Sequence, residues 1–459
     1  MKENLSTPPL TKRFSLYSSQ IVFCAILLMF LITTFVLGTN LKPVIVPDER
    51  VHYIFIWEFA KTWSIPQDSE VTYYSGTYIT DHPYLFYWIG GRLDNLFELI
   101  SPNHEMIDRI IFQRHVNSIY ACFTVLFCYL LSRKLIHNSW WQLLPPFMLI
   151  NTLMFVTISS GVNYDNLLNA LVSGSLYFFV RSLDSENYLV DSLIWMALGG
   201  MAVLTKVTAL PVIGVLGLFW IYLTIKRKTK LTINPSRGLK NLWIVPLIII
   251  IILSASFYIS NLLKYQSIVP ECQDFLDVSI CNKNPQLRRD ERLSAGINLN
   301  PRSAVANGYL DPIQYAFYSW PRLMALRTYG IMGHKSYYPY TTGYFPILFL
   351  WLILIGVRTI RTFNLSHISI LVSCITLTLI HLALNYRAEL LFGFAHVGVQ
   401  GRYLFPVIGG FYVLTTLGLS EARSRFIKYG TLILTLILFI YCGPLKFVIG
   451  SQSFAGWFR

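Results

Sequence analysis

Charged residues are scarce in this sequence. They make up 13% of 459 residues, against 54% hydrophobic, where soluble domains carry roughly 25%. That scarcity excludes a sizeable soluble domain. The apolar runs are long and do not alternate, which excludes a transmembrane β-barrel. The chain lacks a Walker loop, a Rossmann glycine fingerprint and an HExxH zinc motif, so nucleotide-driven transport and metalloprotease chemistry have no support. Internal repeats and low-complexity tracts are missing too. The net charge is +14, but the cations punctuate apolar runs and form no continuous stripe, which argues against a nucleic-acid partner. Of the seven cysteines, Cys24, Cys122, Cys128, Cys374 and Cys442 fall inside apolar runs and read as packing residues.

What is present is an all-α, polytopic membrane protein. Residues 19–39 are long enough to cross a bilayer at about 1.5 Å per residue, and too long for a signal-peptide core. Eleven spans are predicted: residues 19–39, 110–132, 140–158, 165–181, 188–205, 207–225, 242–262, 343–357, 366–385, 403–420 and 428–447. The fifth and sixth are divided only by Thr205-Lys206-Val207-Thr208 and Pro211.

Cations orient these spans. Lys2, Lys12 and Arg13 precede the first, and Arg133-Lys134, Arg181, the run Lys226 to Lys230, Arg358 with Arg361, and Arg423, Arg425 and Lys428 fall on the same side. The positive-inside rule makes that side cytoplasmic, in a plasma (inner) membrane. Lys206, Arg387 and Arg402 are cations that the rule does not explain. The expected division is a transmembrane domain over 1–447 and an external tail over 448–459. Two long segments, 40–109 and 263–342, are external. In the first, Val51, Ile54, Phe55 and Phe59 recur at helical spacing, which predicts an amphipathic helix lying in the interface. A second helix is predicted from Tyr84 to Ile100, and 263–342 forms a small cap.

Threading places the polar residues of interest on one side. Asp48 and Glu49 follow the first span, Asp165 opens the fourth, Lys206 sits at the hairpin between the fifth and sixth, and Arg402 opens the tenth. His334 and Lys335 lie near the end of the large loop. Each has a bland reading. Asp48 and Asp165 suit helix N-caps, Lys206 could snorkel to the interface, and Arg402 could anchor a headgroup. His52 and His82 read as ordinary interface residues. Together, however, they fit one chemistry. Lys206, Arg402, His334 and Lys335 could grip a lipid phosphate, and a carboxylate could take the proton of an attacking hydroxyl. Asp48 and Asp165 could instead hold Mg²⁺ or Mn²⁺, although Lys and Arg could supply the same charge.

A first span followed by an external Asp-Glu pair resembles the GT-C superfamily of integral-membrane glycosyltransferases. More specifically, Pro47-Asp48-Glu49-Arg50-Val51-His52-Tyr53 resembles the Pro-Asp-Glu-x-x-His-Phe signature of a bacterial family of multi-pass membrane proteins of unsettled function. Asp81-His82-Pro83-Tyr84, Asn163-Tyr164-Asp165-Asn166, Lys206-Val207-Thr208 and Val399-Gln400-Gly401-Arg402-Tyr403 follow in order. The resemblance implies a GT-C fold, a polyprenyl-phosphate-linked sugar as donor, a glycan or lipid-linked acceptor, and inverting transfer outside the cytoplasm. It implies that the acidic site is Asp48 with Glu49, and that Asp165 is a second acidic site. Arg50 departs from the small residue usual in that family. Two other classes stay open: a transporter of lipid-linked intermediates, and a non-catalytic protein of envelope-polysaccharide assembly.

Cys272 and Cys281 are the cysteines outside the predicted spans, in a segment assigned to the oxidising side, where disulfides persist. A disulfide between them closes a short loop and stabilises by about 2–3 kcal/mol in the chain-entropy model. Mass spectrometry of unreduced peptides should find the two joined; alkylation of both thiols without reduction would refute the bond.

Overall fold

The computed structural model describes residues 10–43, 45–75, 79–103, 105–185, 187–227, 244–294, 299–332, 335–336, 340–360, 363–393, 398–450 and 456–459. Helix dominates them, because a backbone in hydrocarbon must satisfy its own hydrogen bonds. The first half holds α1 (Leu10–Asn40), α2 (Glu49–Ala60), α3 (Glu70–Ser75), α4 (Leu85–Ile100), α5 (Met106–Leu135), α6 (Leu144–Ile150), α7 (Leu153–Ser159), α8 (Asp165–Leu183), α9 (Tyr188–Thr205), α10 (Leu210–Arg227) and α11 (Ile244–Tyr265). Short helices α12 (Val278–Cys281), α13 (Pro285–Ser294), α14 (Pro301–Ala306), α15 (Pro312–Gln314) and α16 (Trp320–Tyr329) build the large loop. The chain ends with α17 (Tyr344–Thr359), α18 (Leu365–Phe392), α19 (Phe405–Ser420), α20 (Arg425–Cys442) and α21 (Pro444–Gly450).

Among the described residues, nine stretches are long and apolar enough to cross a membrane, or ten with the bent pair α6–α7. The predicted span 140–158 is that pair, bent by 66°. Its break has a local cause. Thr152 is extended, and Asn151 closes α6 by donating its backbone N–H to the carbonyls of Phe147 and Met148. The predicted fourth span is α8, a helix too rich in Asp, Asn and Ser to count by apolar length. Eleven crossings are therefore not established by apolar length. Contacts between the end of α1 and residues 458–459 add a constraint. Leu41 pairs with Phe458, and the backbone N–H of Arg459 donates to Asn40. Parity then makes α8 and the bent pair cross together or not at all, since one apolar helix precedes Leu41 and eight follow.

The interfacial helix predicted after Asp48 is α2, but it is buried on more than one face: His52, Tyr53 and Ile56 are covered along with Phe55 and Phe59. His52 is thus not an ordinary interface residue. The cover is α4. Gly91 lets the two backbones meet, since a Cβ there would lie 2.8 Å from Ala60 N. Arg92 and Asn95 of α4 then donate to the free carbonyls of Phe59, Ala60 and Thr62 at the end of α2. In the large loop, Cys272 and Cys281 are joined by a disulfide, and Trp320, Met324 and Tyr315 pack on Leu390 of α18. A two-residue hairpin, Ile331–Met332 with Lys335–Ser336, is the one sheet among the described residues. His334 lies outside the described residues, as do Lys228 to Lys230 of the basic run.

Ser279 of α12 and Ser424 before α20 are both exposed, and the basic turns place them on opposite sides. In a cysteine-substituted background, Ser279→Cys should react with a membrane-impermeant maleimide in intact cells, and Ser424→Cys only after permeabilisation. Reaction of both from one side would break the threading.

Candidate active site

The site starts from a strained residue. Asp48 precedes α2 with φ 61° and ψ 7°, and its side chain makes no capping bond. The left-handed conformation costs a non-glycine residue about 1–2 kcal/mol, and Asp tolerates it better than most. The N-cap expectation for Asp48 is therefore corrected. Its carboxylate turns instead to Arg402, which donates from Nη2 to Oδ2 at 2.5 Å. The Asp48 side chain stays 46% exposed while Arg402 is 3% exposed.

The next residue has another partner. Glu49 is buried, and its carboxylate takes both forks of Arg114, Nε to Oε1 at 2.7 Å and Nη2 to Oε2 at 2.6 Å. It also accepts the Val162 backbone N–H at 3.0 Å. Arg114 spends its other nitrogen on the carbonyls of Gly38 and Leu41, which are left free at the end of α1. Glu49 thus joins α1, α2, α5 and the loop before α8. That loop lies flat on the Asp48 segment because of Gly161, where a Cβ would meet Val46 at 2.4 Å. Asn163 donates to Pro47 O at 3.1 Å and accepts the backbone N–H of Asp165 at 2.9 Å. Asp165 is thus the first residue of α8 and not its N-cap, a position held by Tyr164; Asn163 takes the Asp165 amide, and the Asp165 side chain is left for other contacts.

Those contacts are two cations. Lys206 Nζ donates to Asp165 Oδ1 at 2.7 Å, and Arg402 Nε lies 3.6 Å from Oδ2. Lys206 sits in the break between α9 and α10, extended at φ −161°, so its side chain points out of the helical ladder. Its ammonium rests over the rings of Tyr164 and Tyr403, at 4.3 and 4.7 Å from their centroids. Burial is the largest single influence and opposes the charge, but the Asp165 carboxylate together with Tyr164 and Tyr403 outweighs it and holds Lys206 above its ordinary range. Arg402 is delivered by Gly401, where a Cβ would come within 2.9 Å of Thr328 Cα.

The result is an alternating line, Asp48–Arg402–Asp165–Lys206, drawn from segments far apart in sequence. Around it lie buried polar atoms with no hydrogen-bond partner among the described residues: Arg402 Nε and Nη1, Asp165 Oδ2, His52 Nε2, His381 Nε2 and Gln400 Oε1. His52 Nδ1 and Tyr87 OH share a hydrogen bond at 2.9 Å, and the His52 ring sets its edge against Tyr164. Burial pulls the His52 imidazole down to about 3 against the opposing field of Asp48, so the ring is neutral. His381 of α18 stacks on Tyr403 at 5.4 Å.

Sequence reasoning found the four charges of the line. It missed the role of Arg114, although an arginine inside a predicted span is itself a signal. The rings of Tyr87, Tyr164, Tyr403 and His381 carried no such signal. His334 is not described, and Lys335 pairs through its backbone with Met332. Among the described residues no three His, Cys, Asp or Glu side chains gather as a metal centre; Asp48 and Asp165 are two carboxylates flanking one guanidinium.

Removing one partner of a buried ion pair strands the other, at a cost of about 3–5 kcal/mol. Arg114→Met and Glu49→Gln should each lower the thermal midpoint in detergent sharply, and the double variant should recover part of the loss. Asp48→Asn, half exposed, should shift it little. Single variants at Glu49 or Arg114 as stable as the parent would remove this pair from its central place.

No family model matches the sequence, and no curated protein does so at a significant level. Solved structures do. The oligosaccharyltransferase of Archaeoglobus fulgidus, tethered with an acceptor peptide, aligns with a TM-score of 0.52 at 13% identity over 95% of this chain and 58% of that one. The same archaeon's AglB, in complex with an inhibitory peptide and a dolichol-phosphate, gives 0.50 at 13% identity over 92% and 55%. ArnT from Cupriavidus metallidurans, bound to undecaprenyl phosphate, gives 0.49 at 12% identity over 94% and 65%. The chain thus spans less than two thirds of the length of each. What it shares with the two archaeal structures at such identity is the fold alone, a GT-C-like membrane helical fold.

Proposed function

We propose that this protein transfers a hexosyl or pentosyl unit from a polyprenyl-phosphate donor to an extracytoplasmic glycan or lipid-linked acceptor, with inversion. The observation that carries the reading is the Asp48–Arg402–Asp165–Lys206 line, with an exposed carboxylate at one end and two buried cations behind it. The acceptor hydroxyl gives its proton to Asp48 as its oxygen bonds to the anomeric carbon. The bond from that carbon to the phosphate oxygen breaks, and its electron pair stays on the phosphate. Arg402 and Lys206 meet the charge that develops there.

The resting contacts give these steps an order. Arg402 Nη2 is held by Asp48, so a donor phosphate that takes the guanidinium also releases Asp48 to act as base. Asp165 keeps Lys206 charged and flanks Arg402. Glu49 is a positioning residue in this scheme, fixed by Arg114. Lys335, in the hairpin after α16, and His334 are assigned to the donor phosphate on their sequence alone. A bound Mg²⁺ or Mn²⁺ would use the same two carboxylates, since such ions take one or two carboxylates plus phosphate oxygens and water, and would have to share them with Arg402, which stands between them. Asp48 and Asp165 would hold it, and it would add positive charge at the phosphate.

The test is release of free polyprenyl phosphate by the purified protein from defined sugar-loaded donors. General-base catalysis is worth about 10²–10⁴-fold, so Asp48→Asn should lose that much in kcat while donor affinity is kept. Arg402→Ala should raise the donor KM more than Arg402→Lys, which keeps the charge and loses the fork. Near-normal turnover by Asp48→Asn would move the base elsewhere, and lipid movement without sugar transfer would favour a transporter.

A further inference from the structure

The end of α19 far from Arg402 carries a second feature. The helix is 16 residues long, or about 24 Å at 1.5 Å per residue. Where it ends, α17 and α19 are pressed together. A Cβ on Gly418 would lie 2.5 Å from Gly356 Cα, and Thr359 Oγ1 donates to Gly418 O at 2.8 Å. The chain then turns through residues 421–424 into α20, which leans back on α17 through a hydrogen bond from Trp351 Nε1 to Thr431 Oγ1 at 3.0 Å. Between the tight crossing and that hydrogen bond the helices leave a cavity of about 750 Å³.

Its lining is amphipathic. Trp351, Leu354 and Ile427 form an apolar wall, and Arg358, Arg423 and Glu421 stand at the turn. The wall continues into the outward face of α17, where Ile347, Leu350 and Val357 are exposed. Both arginines are exposed, and neither forms an ion pair among the described residues. The nearby Lys428 is already engaged, donating to Ser420 O and resting over the Trp141 ring. A membrane protein has no need of a cavity to keep two arginines on its basic side. A cavity with two free guanidiniums at its mouth and an aliphatic wall running into the lipid-facing surface is complementary to one occupant.

We infer that this cavity binds an anionic glycerophospholipid of the surrounding bilayer. Arg358 and Arg423 take the phosphodiester oxygens through charge-assisted hydrogen bonds. Hydroxyls of the headgroup donate to Glu421, and an acyl chain runs along Leu354 and Ile427. The site is independent of the sugar-transfer reading, because it shares no residue with the Asp48 line and lies at the other end of α19.

Native mass spectrometry of the full chain in detergent, with phosphatidylglycerol or phosphatidylcholine at equal concentration, tests it. The parent should retain phosphatidylglycerol in preference to phosphatidylcholine. The double variant Arg358→Gln/Arg423→Gln should retain it at least about tenfold less, since hydrogen bonds to charged groups are the strong ones and both would be lost. Leu354→Trp, which fills the cavity and keeps both arginines, should lose it as well. An unchanged elution profile and helix content in both variants keep the comparison fair. Equal retention of the two lipids by the parent overturns the inference, as does undiminished phosphatidylglycerol on either variant.

Discussion

A buried carboxylate–guanidinium pair holds this molecule's site together. Glu49 and Arg114 are 2% and 0% exposed at the side chain, where either charge alone is costly. They are tolerable because each is saturated: Arg114 by Glu49 and two carbonyls of α1's last turn, Glu49 by Arg114 and an amide of the loop before α8. The same contacts satisfy backbone groups that the end of α1 leaves open. One pair thereby fixes the exit of the first membrane helix, the entry of α2, and the loop that presents Asp165. Asp48 is forced into its left-handed backbone between two anchored neighbours, and its side chain is the one left to face outward.

The Asp48–Arg402–Asp165–Lys206 line is built on the opposite principle. Its four charges cancel in pairs, but several of their polar atoms are incompletely bonded. Buried groups in that condition are electrostatically strong and poorly satisfied, which suits a place where a charged ligand replaces internal partners. The aromatic rings of Tyr164 and Tyr403 keep water from the Lys206 ammonium without neutralising it. Glycine sets the geometry at both entrances. Gly161 brings the α8 loop against Val46, and Gly401 brings Arg402 past Thr328.

α19 links the two functional proposals physically. It follows directly on the short turn that carries Arg402, the residue that contacts Asp48, and ends at the turn that lines the proposed lipid cavity. Its body is covered by protein almost throughout, so its position is set by packing and not by bilayer contact. α17, which meets it at Gly356 and Gly418, is by contrast largely exposed along its outward face.

Much of the helical layout was legible because hydrocarbon length leaves a direct trace: a run of about 20 apolar residues has one stable answer in a bilayer. The breaks were harder. The bend at Thr152 depends on one extended residue, and α8 is polar because protein, not lipid, surrounds it. The sequence by itself determined a helical membrane protein with Asp48, Asp165, Lys206 and Arg402 at segment ends. It could not separate Asp48 from Glu49, which are adjacent and alike in charge. Adjacent residues at a helix start point in different directions, and what lies in each direction comes from chain hundreds of residues away in one case and about sixty in the other. Only the tertiary structure put Arg402 before Asp48 and Arg114 before Glu49, leaving one carboxylate half exposed and enclosing the other to hold it there.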